Sequence, residues 1–143
     1  MKKMIMRLLG FNFNKISIEK KSTINEKLKT NININIAEIK EIKQKEFKTK
    51  DEIIGVDFIY TVDYSPEFAK VELKGFLALG FEPKDAKKVL KDWKEQKMDE
   101  GFRYHLFDLI LKKSTLKALE LEESVNLPLH MPLFSLKRQE SSQ

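Results

Sequence analysis

Four stretches before residue 82 alternate apolar and polar residues, and this pattern limits the fold of the 143-residue chain more than any other feature. Period two is the mark of a strand with one buried face. The first stretch runs from Phe11 to Glu19. Its apolar positions are odd at Phe11 and Phe13, then even at Ile16 and Ile18. Such a change of phase requires a bulge near Asn14-Lys15. The second stretch, Asn31 to Ile36, sets three Ile against three Asn. Beyond Ala37 the spacing becomes Ile36, Ile39, Ile42, so the strand is expected to bend, end or become a helical turn.

The third stretch sets Ile54, Val56, Phe58, Tyr60, Val62 and Tyr64 against Asp57, Thr61 and Asp63. The fourth sets Val71, Leu73, Leu77 and Leu79 against Lys70, Glu72 and Lys74. Ser65-Pro66-Glu67 between them is a turn signal and predicts a hairpin. One apolar face per strand describes an antiparallel sheet covered on one side.

The period changes after Pro83, which suits a first helical position. Ala86, Val89, Leu90 and Trp93 make one apolar stripe. Asp99-Glu100-Gly101 breaks this helix, and a second is predicted from near Phe102 to about Leu119. Phe102, Leu106, Phe107, Leu109 and Ile110 cover much of the second helix's circumference. A helix on one sheet needs only one stripe, so these five are candidate oligomer-interface residues. The competing explanation is that the first helix and the tail cover the extra face. The expected fold class is therefore α+β, a four-stranded antiparallel sheet with two helices on one face. It is a single domain over 1–143, with a lead at 1–10, the sheet at 11–81, helices at 82–120, and an apolar crossover segment and tail at 121–143.

That tail, Val125 to Phe134, holds Pro128 and Pro132 among large apolar groups. The prolines forbid a regular helix interior and favour extended or turning backbone. Leu127, Leu129, Met131, Leu133 and Phe134 are candidate contacts for an extended apolar peptide, with Phe11 and Phe13 as a facing wall. Equally, Leu127, Leu129 and Leu133 could seal a core edge.

Chemistry has little support. There is no Cys, which excludes disulfides, cysteine nucleophiles and Cys-ligated metal. His105 and His130 lack partners at metal-ligand spacing, and Asp51-Glu52 and Glu120, Glu122, Glu123 read as solvated charge. No catalytic residue, metal or cofactor is expected. The formal charge of +5 is concentrated between Lys20 and Lys50. Only Arg7, Arg103 and Arg138 are Arg, and Phe47 is the one aromatic in that segment, so nucleic acid is a disfavoured partner. No run of apolar residues is long enough for a membrane span, and a cytoplasmic location is expected.

Phe13-Asn14-Lys15-Ile16-Ser17-Ile18-Glu19 resembles the aromatic-x-Lys-Asp-Ile-Ser-Phe-Glu signature of the SecB-type protein-export chaperones, compact archaeal SecB-like proteins especially. Val125-Asn126-Leu127-Pro128-Leu129-His130-Met131-Pro132-Leu133-Phe134 resembles the same family's Leu-Asn-Leu-x-Pro-Val-Asn-Phe crossover, and the resemblance spans residues 11–136. It implies a homo-oligomer, a dimer or dimer of dimers, and an ATP-independent holdase for unfolded or nascent polypeptides, preproteins among them. Lys15 stands where the family has an acidic residue, so contact with a translocase motor is not implied. The remaining alternatives are a basic nucleic-acid-binding module and a dedicated antitoxin or adaptor-type partner.

Overall fold

The computed structural model describes residues 4–21, 28–43 and 50–131. Within them lie strands β1 (Arg7–Lys20), β2 (Lys29–Ile42), β3 (Glu52–Ser65) and β4 (Ala69–Phe81), then helices α1 (Pro83–Lys94) and α2 (Glu100–Ser124). The strands form one sheet in the order β1-β4-β3-β2, each neighbouring pair antiparallel. The expected β3–β4 hairpin is the centre, and β1 and β2 are the edges. β1 begins at Arg7, inside the stretch expected as a lead.

The change of phase in β1 is a bulge. Phe13 pairs with Gly75 and Lys15 with Lys74, leaving Asn14 as the extra residue. A second irregularity falls between Leu8 and Gly10. The altered spacing in β2 has the same cause, not a helical turn. Ile36 pairs with Phe58 and Glu38 with Asp57, so Ala37 is extra and the strand continues to Ile42. The bulge returns Ile39 to the core face, opposite Val56, where it is buried. Without it, Ile39 would face solvent.

The core sits between one sheet face and the helices. Ile54, Val56, Phe58, Tyr60, Val62 and Tyr64 of β3 are fully buried there, as are Val71, Leu73, Leu77 and Leu79 of β4. Gly75 pairs with Phe58 across the hairpin. A Cβ on Gly75 would stand 2.4 Å from the Phe58 ring and 2.9 Å from the Asn12 carbonyl oxygen. The missing side chain is what lets Phe58 lean over β4 towards β1.

α1 starts with Pro83 and buries Ala86 and Val89. α2 starts earlier than its first aromatic. The Asp99 carboxylate accepts a hydrogen bond from the Phe102 backbone N–H at 3.1 Å and another from Lys88 Nζ at 3.2 Å. These partners, the backbone N–H first, hold the Asp99 carboxyl below its ordinary range. Asp99 is thus an N-cap, and Gly101 lies within the helix it opens.

α2 also runs further than expected, to Ser124. Its end is a Schellman turn: Asn126, at φ 58°, donates to the Glu123 carbonyl at 3.1 Å, and Leu127 N–H donates to the Glu122 carbonyl at 2.8 Å. Asn tolerates this left-handed backbone better than most residues, and Pro128 prevents further helix.

The buried residues of α2 are Phe102, Leu106, Ile110, Ser114, Ala118 and Glu122, every fourth position. Four residues advance a helix by about 400°, so this stripe drifts about 40° per step. The contact line therefore winds around α2, and its two halves present different sides to the sheet. This accounts for the wide apolar circumference read as a subunit face. Of the candidate interface residues, Phe102, Leu106 and Ile110 are buried in the chain's own core. Phe107 and Leu109 are half-buried beside it.

Gly75→Ala is expected to destabilise the fold by about 1–3 kcal/mol, because the added methyl overpacks the Phe58 site. Denaturant titration would show a lower midpoint at unchanged slope; an unchanged midpoint would mean that Phe58 moves freely.

Candidate functional site

Two neighbouring features occupy the helix-bearing side of the sheet. One is a strap fastened by polar contacts, and the other is an open groove.

The strap is the segment after α2, Val125 to Met131. The Schellman turn reverses the chain at Asn126 and buries Leu127. Lys20 Nζ then donates to the Val125 carbonyl at 3.2 Å, and the Tyr64 hydroxyl donates to the Pro128 carbonyl. His130 is the main fastening. Its backbone N–H donates to Glu122 Oε1 at 2.9 Å, and its ring Nδ1 lies 2.7 Å from Glu122 Oε2. Both side chains are 0% exposed. On the other side of the ring, Nε2 lies 3.1 Å from the Tyr60 hydroxyl, itself 3.3 Å from Thr115 Oγ1. With Nδ1 facing a carboxylate, Nδ1 carries a proton.

Burial raises the phenol pKa of Tyr60, and Thr115 opposes that rise. Burial, then the charge of Glu122, raises that of Tyr64 further. Both phenols therefore stay neutral and able to donate.

This cluster differs from the sequence reading in two ways. Glu122 is not solvated charge, and His130, which lacks a partner at metal-ligand spacing, has a buried carboxylate partner. Their pairing joins a helix to a segment eight residues on. The available signal was the i, i+4 series from Phe102, which ends on Glu122.

The groove lies between edge strand β2 and the helices. Its volume is about 510 Å³, and Ile34, Ile36, Trp93, Met98, Phe107 and Arg103 are among its lining residues. The Ile34 and Ile36 side chains point to the core face, opposite Tyr60 and Phe58, but α2 leaves them only half-covered. Lys97 and Gln96 stand at its rim and are exposed. The Arg103 guanidinium lies 5.4 Å from the centroid of the Phe107 ring. Because β2 pairs only with β3 among the described strands, its other edge presents backbone donors and acceptors beside this groove.

The candidate contact residues divide between three places. Phe11 and Phe13 are half-buried on β1, with ring centroids 5.1 Å apart, and both stack on Phe58 at 5.5 and 6.4 Å. Lys113 of α2 lies over the Phe11 ring. On the strap, Leu127 is buried, Leu129 is half-buried and Met131 is 41% exposed. Leu127 therefore seals the core edge and offers no contact surface. Leu133 and Phe134 lie outside the described residues, as do positions 22–27 and 44–49 of the lysine-rich stretch. The sequence reading missed the groove lining of Ile34, Ile36, Trp93 and Phe107. Only the apolar face of β2 and the stripe of α1 hinted at it.

Among the described residues, no group of three His, Asp or Glu could hold a metal ion, and no helix is long and apolar enough to cross a membrane.

No family model matches the chain, and no curated protein matches it. Solved structures do resemble it. A protein of unknown function from Streptococcus agalactiae aligns over 93% of this chain and 100% of its own, at 10% identity and a TM-score of 0.53. The Mycobacterium tuberculosis Rv1957 SecB-like chaperone, solved in complex with a ChAD peptide from the Rv1956 HigA1 antitoxin, aligns over 93% of this chain and 91% of its own. Its identity is 10% and its TM-score 0.48. At 10% identity, the likeness to the Streptococcus agalactiae structure is one of fold alone.

Two outcomes follow from the strap. Glu122→Ala leaves the His130 ring and backbone N–H without their buried acceptor, and should cost about 3–5 kcal/mol by denaturant unfolding. A loss below 1 kcal/mol would mean that water replaces the carboxylate. The second concerns pH. The raised phenol values mean that the folded state keeps protons the unfolded state releases near pH 10. The stability these phenols contribute is complete below pH 10 and declines as pH rises towards the folded values. Tyrosinate absorbance from Tyr60 and Tyr64 should therefore appear together with alkaline unfolding, and Tyr64→Phe should flatten the decline.

Proposed function

We propose that this protein is an ATP-independent holdase that binds extended apolar segments of nonnative polypeptides and prevents their aggregation. The observation that carries the reading is the open groove between β2 and α2. Ile34, Ile36, Trp93, Met98 and Phe107 give it a half-covered apolar floor among polar neighbours, and it borders a strand edge with spare backbone hydrogen-bonding capacity. A chain in extended form needs both of these: a surface for alternate side chains and partners for its backbone. Met98 on the groove and Met131 on the strap add adaptable side chains, which suits clients of varied sequence.

Binding is the whole of the proposed activity, with no covalent step. The SecB-type motif resemblance in β1 and the strap fits this role, including the holding of preproteins before export. Self-association is part of the proposal. Its candidate surface is no longer the Phe102–Leu106–Ile110 stripe but the outward side of α2, where Leu116 is 71% and Tyr104 69% exposed.

The test is aggregation of a chemically denatured client diluted into buffer, followed by light scattering without nucleotide. Suppression is expected at near-stoichiometric ratios, and Ile36→Asp should weaken it several-fold while the protein still folds. No suppression by the wild type at any ratio would sink the reading. Capture of one tight partner, with no effect on varied clients, would favour a dedicated adaptor.

A further inference from the structure

The groove has a sign as well as an apolar floor. Lys97 and Arg103 line it, and no carboxylate does among its lining residues. Lys97 already has a partner, with Nζ 2.9 Å from Glu95 Oε2. Arg103 has no carboxylate partner among the described residues. Its guanidinium lies over the Phe107 ring, itself part of the groove lining. A guanidinium held over an aromatic ring by a cation–π contact still has N–H donors to offer a second partner. An arginine so placed is poised for a planar carboxylate, for which its fork is shaped.

We infer that the groove selects extended apolar segments carrying an Asp or Glu close to a large apolar residue, and that Arg103 is the specificity-determining residue. The inference rests on the proposed holdase reading and names its client class. The apolar residue of the segment lies on Ile34, Ile36 and Trp93. On an extended backbone, side chains on one face recur about every 6.6 Å. An acidic side chain two residues from the anchor therefore shares its face and meets Arg103. A basic residue at the same position meets Arg103 and Lys97 as like charges. The occupant is thus an internal acidic residue of a nonnative chain, chosen by charge complementarity.

The experiment uses the full chain and three fluorescent peptides of one apolar sequence. They carry Glu, Gln or Lys two residues from a central Phe. Wild type should bind the Glu peptide about two- to fivefold more tightly than the Gln peptide, with the Lys peptide weakest. The preference should shrink at high salt, since the rim is exposed. Arg103→Glu should reverse the order, and Arg103→Gln should level it. Arg103 is exposed, so a thermal melt should show both variants folded. Equal affinity of wild type for all three peptides, or an order unchanged by Arg103→Glu, would overturn the inference. Aggregation of an uncharged client is measured in parallel. If wild type suppresses it without any charge preference among peptides, client selection fails and the holdase reading stands. If wild type neither suppresses aggregation nor binds peptide, both fail.

Discussion

Everything on the helix-bearing side of this molecule depends on how α2 lies across the sheet. Its contact stripe repeats every fourth residue, so the line of contact winds around the helix instead of running along it. Large residues, Phe102, Leu106 and Ile110, fill the first half, and Ser114 and Ala118 follow. There Tyr60 rises from β3 to reach Thr115. α2 so placed, together with α1, covers β3 and β4 and leaves Ile34 and Ile36 of β2 half-covered. The groove is the remainder of that incomplete cover.

The same geometry brings the end of the stripe, Glu122, into the core. A buried carboxylate needs hydrogen-bond donors, or its desolvation would cost several kcal/mol. His130 supplies two, through ring and backbone. Supplying them requires the chain to turn back at Asn126 and lie against β3, where Tyr60 and Tyr64 add further contacts. The strap is therefore held by polar bonds at a few points, while the groove beside it is held open by the spacing of packed elements. A binding surface benefits from this division. The floor is set by the packing of β2 against the helices, and the strap is fastened by groups that can be removed one at a time.

Much of the fold was legible in the sequence because its causes are local. The phase slip between Phe13 and Ile16 forces a bulge whatever the strand pairs with, and Asn14 is where it falls. The change of spacing after Ile36 has the same meaning, but it reads equally as a bend, an end or a helical turn, because three residues of each look alike; the bulge at Ala37 appears only in the pairing with β3. The starts and stops of the helices were less clear. Asp99 looked like a breaker and is a cap, since a capping residue and a turn residue are chemically the same group in different company. The candidate site was read only in part. Met131 is exposed and Leu129 half-buried, whereas Leu127 is buried.

What the sequence by itself determined is the set of elements: four long strands, each with one apolar face, followed by two helices. Period and phase are properties of neighbouring residues, and backbone geometry translates them directly into faces. It also determined the chemistry this chain cannot do with cysteine, since it has none. Only the tertiary structure decided which apolar residues are covered and which polar ones are buried. The pairing of Glu122 with His130, the burial of Phe102, Leu106 and Ile110, and the half-cover of Ile34 and Ile36 all follow from the path of α2 over a twisted sheet. That path is set by how whole surfaces fit, so no local pattern records it.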